Sequence, residues 1–165
     1  MNFVRIIFVA LIVFVIQLTA IHRIAIAGCT PDLAVILLVA LVLERGPVVA
    51  VIIGFFLGFL QDLGNASLLG MNALAKSILA YGVSRVGGGL LPENVFYKGL
   101  IIFAACLLND IITLPIAMSF SVREMFVSFF RYSLLSALYS SLMGVAIFAL
   151  IELLTRRVVR PGGGF

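Results

Sequence analysis

The stretch Gly54 to Asn72, GFFLGFLQDLGNASLLGMN, interrupts itself. An apolar run with membrane character stops at Gln61-Asp62, crosses a Gly/Asn/Ser turn and resumes at Leu68. Two apolar segments joined in this way read as a helical hairpin. Its carboxylate then marks a helix end, lines a binding site or grips a partner.

Composition decides what surrounds this hairpin. The chain has 165 residues, of which 64% are hydrophobic and 11% charged, with a mean hydropathy of +1.29. Soluble domains lie far from that makeup, and whole windows here are apolar on every face, as lipid contact requires. Only helices and closed barrels satisfy their backbones in lipid. Barrel strands alternate polar and apolar residues, whereas IIFVALIVFVI and VILLVALVL show no alternation. The expected fold is therefore an all-α integral membrane protein, one compact bundle over residues 1–165 with no soluble domain.

Six membrane helices are predicted, near residues 3–21, 24–43, 47–62, 69–86, 95–120 and 123–154, followed by a basic tail at 155–165. The second is the weakest, because Pro31 to Leu43 alone reaches only about 20 Å of a hydrocarbon core about 30 Å thick. It either starts upstream near Ile24 or spans incompletely. Positive charge sets the orientation: with both termini cytoplasmic, the inner segments hold Arg5, Arg45, Arg85, Lys98, Arg156, Arg157 and Arg160, and the outer loops Arg23 and Arg123. The loop after Asp62 then lies outside and carries no Lys or Arg. Residues 3 to 29 imitate a secretory signal ending in IAGC, but the apolar run to Ile21 is too long and His22-Arg23 intervenes.

Several function classes drop out. Cys29 and Cys106 have no pairing or metal spacing, and the lone His22 cannot form a metal cluster. Basic residues scattered at helix ends set topology and give no nucleic-acid surface. No Gly-x-Ser-x-Gly, HExxH or phosphate-binding glycine loop occurs, so neither an enzyme nor a cofactor is expected.

Two small-residue stripes stand out. At about 100° per residue, Gly54, Gly58, Gln61 and Asp62 share one helical face, and Ser136, Ser140 and Gly144 repeat at spacing four, one turn after Ser133. Such faces let a second backbone approach closely. They either pack within the chain or receive a foreign helix. Charges inside spans cost several kcal/mol unless paired or wet, so Asp62, Asn72, Lys76 and Asp110, with Asn109 and Thr113 nearby, are expected to meet in one polar interior site. That site is either an ion pair fixing helix register or a ligand site, with Lys76 as counter-ion to a carboxylate.

The residues that carry these features resemble those of the rod shape-determining protein MreD family: Pro31-Asp32-Leu33 opening the second segment, the ERGP turn at 44 to 47, and GFLQDLGNASLLGMNAL from Gly58 to Leu74. The resemblance covers the whole chain and is specific over residues 31 to 81. It implies a non-catalytic inner-membrane component of the bacterial elongation machinery that pairs with membrane-anchored MreC. Through MreC it would connect to the MreB filament and to the wall synthases RodA and its penicillin-binding partner. It also implies a six-helix fold similar to the substrate-binding subunits of energy-coupling-factor transporters. That likeness leaves open a second function, a vitamin-type small-molecule-binding transporter subunit. By position, the family motif falls on Pro31, Asp32, Gly58, Gln61, Asp62, Leu69, Gly70, Asn72 and Ala73. Asp62 and Asn72 are expected to hydrogen-bond across the third and fourth helices, and the small-residue faces to receive the MreC helix.

Overall fold

A computed structural model describes residues 3–19, 29–43, 45–64, 69–87, 94–118 and 121–158. The described residues form helices and their connections, with no strand among them. In chain order these are α1 (Phe3–Thr19), α2 (Leu33–Val42), α3 (Pro47–Leu63), α4 (Met71–Gly87), α5 (Val95–Ala117), α6 (Val122–Ser128) and α7 (Leu134–Val158). A π-helical turn, Phe129–Ser133, joins α6 to α7 without a break. Two described helices, Val95–Ala117 and Val122–Leu153, are long and apolar enough to cross a membrane.

The second element differs most from expectation. Residues 24–28 lie outside the described set, Cys29 to Asp32 are not helical, and the helix starts only at Leu33. Pro31 has no amide to donate. Asp32 sits in an extended conformation (φ −88°, ψ 91°), and its carboxylate accepts from the amides of Ala34 and Val35, so the helix cap falls there. The ten residues of α2 reach only about 15 Å.

That short helix nevertheless sits at the centre. It touches α1, α3, α4, α5 and α7, and Val35, Leu38, Val39 and Val42 are wholly buried. LAVILLVALV is apolar on all sides, and a helix without a polar face is stable only when surrounded. The outer helices turn the opposite character outward. Ile7, Phe8, Leu11 and Val15 on α1, and Ile52, Phe55, Phe56 and Phe59 on α3, are exposed, which suits lipid and not water.

α3 and α4 make the most extensive helix contact, and two glycines explain it. A Cβ at Gly54 would overlap the carbonyl oxygen of Lys76, and one at Gly58 would overlap the backbone of Asn72 and Ala73. α5 packs on α7, where Ser141 Oγ donates to the Gly99 carbonyl (2.8 Å) and a Cβ on Gly99 would overlap Val145. The glycine linker at 88–93, His22-Arg23, Glu44 of the ERGP turn and the tail from 159 lie outside the described residues. Residues 155–158, expected in the tail, continue α7.

Candidate functional site

The hairpin carboxylate is fully engaged. Asp62, at the end of α3, is buried. Its Oδ2 accepts from the amides of Gly70 (2.9 Å) and Ala73 (3.0 Å), and its Oδ1 from the amide (3.1 Å) and Nδ2 (3.0 Å) of Asn72. The first turn of any helix leaves amides without intrahelical acceptors, and a serine or aspartate just before the helix normally supplies one. Here Gly70 precedes α4, with φ at +93°, a conformation that glycine tolerates and that leaves no capping side chain. Asp62 supplies the cap from the neighbouring helix, and its negative charge also suits the positive end of the α4 dipole.

A second cluster ties five elements together around Asp32. Its Oδ1 accepts from Ala34 N (3.0 Å), Val35 N (3.1 Å) and Gln17 Nε2 of α1 (3.4 Å). Its Oδ2 lies 3.6 Å from Lys76 Nζ of α4. Lys76, which has no exposed surface, also donates to Asn109 Oδ1 of α5 (3.5 Å). The backbone amide of Asp32 donates to Ser140 Oγ of α7 (2.9 Å).

The α7 stripe seats this same segment. Ser136 Oγ donates to the Thr30 carbonyl (2.7 Å), Ser140 Oγ meets Asp32, and Gly144 packs on Ile102, with Ile36 of α2 also at hand. Its regular spacing matches the extended run from Thr30 into α2. Both small-residue stripes therefore face elements of this chain. At Gly54, Gly58 and Gly144 an added Cβ would overlap a neighbouring element of the chain itself, the packing alternative of the two that the stripes left open.

The expected single polar interior is divided. Asp62 and Asn72 form the hairpin clamp, apart from Lys76 and Asn109, which join Asp32; half-buried Asp110 lies beside Asn109 and Ser133 of the π-helical turn, within electrostatic reach of Lys76 and Asp32. The counter-ion of Lys76 is thus Asp32, placed by the sequence in the helix-opening motif and not in the interior. Gln61 is partly buried, and its Oε1 has no hydrogen-bond partner among the described residues. It lines a cavity of about 10 Å³ together with Gln17, Leu57 and Leu60. Gln17 was not singled out by the sequence reading, although a lone amide in IIFVALIVFVIQLT is itself a signal. Ser84 Oγ, which donates to the Arg45 carbonyl (2.6 Å), had no such signal.

Two further cavities are apolar. One, of about 270 Å³, lies between Pro115 of α5 and Phe126 and Phe129. The other, of about 370 Å³, lies between α4 and α5. No group of three or more metal-ligating side chains occurs among the described residues.

The family model of the rod shape-determining protein MreD matches residues 1–158. The chain belongs to the MreD family. That match spans both carboxylate clusters and every described helix. It places the chain among membrane proteins with a role in rod shape, a structural family and not a known enzyme family. No curated protein and no solved structure matches the chain.

Proposed function

We propose that this MreD-family chain is a non-catalytic scaffold of the bacterial elongation complex. It would bind membrane-anchored MreC and help couple the MreB filament to peptidoglycan synthesis by RodA and its penicillin-binding partner. In this reading it is a six-helix bundle of the energy-coupling-factor substrate-subunit type, with both termini in the cytoplasm.

One observation carries the non-catalytic part: the carboxylates of Asp62 and Asp32 are committed to the chain itself. Asp62 accepts four hydrogen bonds, and Asp32 accepts three and pairs with Lys76. A catalytic acid or base needs a free position within hydrogen-bond reach of a substrate. Carboxylates used in this way hold helices in register. The transporter-subunit alternative needs an open polar site, yet none of the three cavities above is lined by Asp32, Lys76, Asn109 or Asp110.

The test is co-purification of MreC from native membranes with Asp62→Ala and Asp32→Asn variants. Loss of MreC at normal levels of the variant supports the scaffold reading. Undiminished recovery of MreC with both variants would rule out a role for these clusters in assembly.

A further inference from the structure

The groove between α4 and α5 has a property that the tight packing elsewhere lacks. Gly82 lies in the middle of α4, where a glycine costs helix stability relative to alanine. Added Cβ atoms on the other described helix glycines, Gly54, Gly58, Gly87, Gly99 and Gly144, would each overlap a neighbour, so packing explains them. A Cβ on Gly82 would meet nothing within 4 Å. Gly82 lines the 370 Å³ groove, together with Ile78, Val86, Ile101, Ala104 and Leu108.

One end of this apolar groove is charged. Arg85 lies three residues beyond Gly82 and is exposed. Its Nε and Nη2 both donate to the hydroxyl of Tyr81, at 3.2 and 3.1 Å, and Tyr81 lines the groove. No carboxylate pairs with Arg85 among the described residues. Across the same mouth, Tyr97 is exposed, one helical turn before Ile101 on the groove face of α5.

Dimensions match one leaflet. The walls run from Ile78 to Val86 and from Ile101 to Ile112, so the groove is about 12 to 17 Å long. That is roughly half of a hydrocarbon core about 30 Å thick, one leaflet deep. A helix about 10 Å across and 15 Å long occupies on the order of 1,000 Å³. The empty space of the groove, about 840 Å³, is of the same order, so the charged mouth and not volume decides the occupant.

We propose that the α4/α5 groove is a site for one anionic phospholipid, with an acyl chain over Gly82 and the head-group phosphate on Arg85. An arginine offers a phosphate paired donors, basic pockets between membrane helices are sites for anionic head groups, and a tyrosine at the mouth suits the interface. Two of the guanidinium donors are held by Tyr81, so the remaining ones point from an already ordered side chain.

The test compares purified full-length chain in neutral detergent with added phosphatidylglycerol or phosphatidylcholine of identical acyl chains. Lipid retention is read by native mass spectrometry and stabilisation by thermal unfolding. Wild type should retain phosphatidylglycerol and be stabilised more by it than by phosphatidylcholine, and tail-free glycerol phosphate should do nothing. Arg85→Ala should weaken phosphatidylglycerol about tenfold, to the level of phosphatidylcholine. Gly82→Leu, which places a side chain in the groove where an added Cβ meets no atom within 4 Å, should abolish retention of both lipids, and Ala104→Phe provides a second plug from the opposite wall. Equal stabilisation of wild type by the two lipids, or unchanged phosphatidylglycerol retention in both plugged variants, would overturn the proposal. Plugged variants that lose MreC but keep the lipid would also overturn it and would give the groove to a partner helix.

Discussion

Lys76 Nζ lies 3.6 Å from Asp32 Oδ2 in the interior of the bundle, with the lysine fully buried and the Asp32 side chain 22% exposed. The pair is asymmetric. Asp32 keeps three amide donors if the lysine is removed, while among the described residues Lys76 keeps one hydrogen bond, to Asn109, and the more distant charge of Asp110 if the carboxylate is removed. Breaking a buried pair from one side costs about 3 to 5 kcal/mol, because the remaining charge is left without compensation.

Asp32→Asn is therefore expected to destabilise more than Lys76→Met, although asparagine can still cap α2. The double variant Asp32→Asn/Lys76→Met should be more stable than Asp32→Asn alone. Thermal unfolding in detergent measures all three. A double variant no better than Asp32→Asn would show that the stranded lysine is not the source of the cost.

Asp62→Ala leaves the amides of Gly70, Asn72 and Ala73 without the acceptor they now share. Hydrogen bonds to a charged group contribute about 1.5 to 3 kcal/mol each, and shared bonds are lost together, so a loss of about 3 kcal/mol is expected. Hydrogen exchange should accelerate at those three amides first, with α5 amides such as Ala105 following only as far as global stability falls. Uniform acceleration throughout the chain would mean that Asp62 is not a local cap.

Two glycine-to-alanine changes should have opposite signs. Gly58→Ala forces its Cβ against the α4 backbone at Asn72 and Ala73, and overpacking of this kind costs about 1 to 3 kcal/mol or more. Gly82→Ala meets no atom and should gain up to about 1 kcal/mol in helix propensity. Melting temperatures of the two variants, measured side by side, check the contrast.

Membrane orientation can be read chemically. Cys29 and Cys106 are both free and buried, so the natural chain should resist a membrane-impermeant maleimide until denatured. Gly46→Cys, where an added Cβ meets nothing, should label only from the cytoplasmic side. Leu69→Cys, at an exposed position, should label only from the opposite side. Labelling of both from one side would contradict the proposed topology.

The hairpin was legible because its determinants are local. Gly58, Asp62, Gly70 and Asn72 lie within a few turns of one another, and a polar break between two apolar runs admits few geometries. The stripe of Ser136, Ser140 and Gly144 was equally visible as a packing face. The extended run that it seats was not, because Thr30 and Asp32 lie in a distant part of the chain. The π-helical turn at Phe129–Ser133 had no sequence signal, since π turns answer to packing and not to a residue preference.

By itself, the sequence determined the environment and the helical class: a hydrophobic fraction of 64% admits a bilayer, and apolar runs without alternation admit only helices. It also placed a carboxylate at the hairpin tip. Only the tertiary structure decided which charges neutralise one another, assigning Lys76 to Asp32 and giving Asp62 to the α4 amides. The tertiary structure also decided that α2, short and apolar on every side, stands at the centre of the bundle. Pairing energies depend on distance and desolvation, and those are set where chain segments remote in sequence meet.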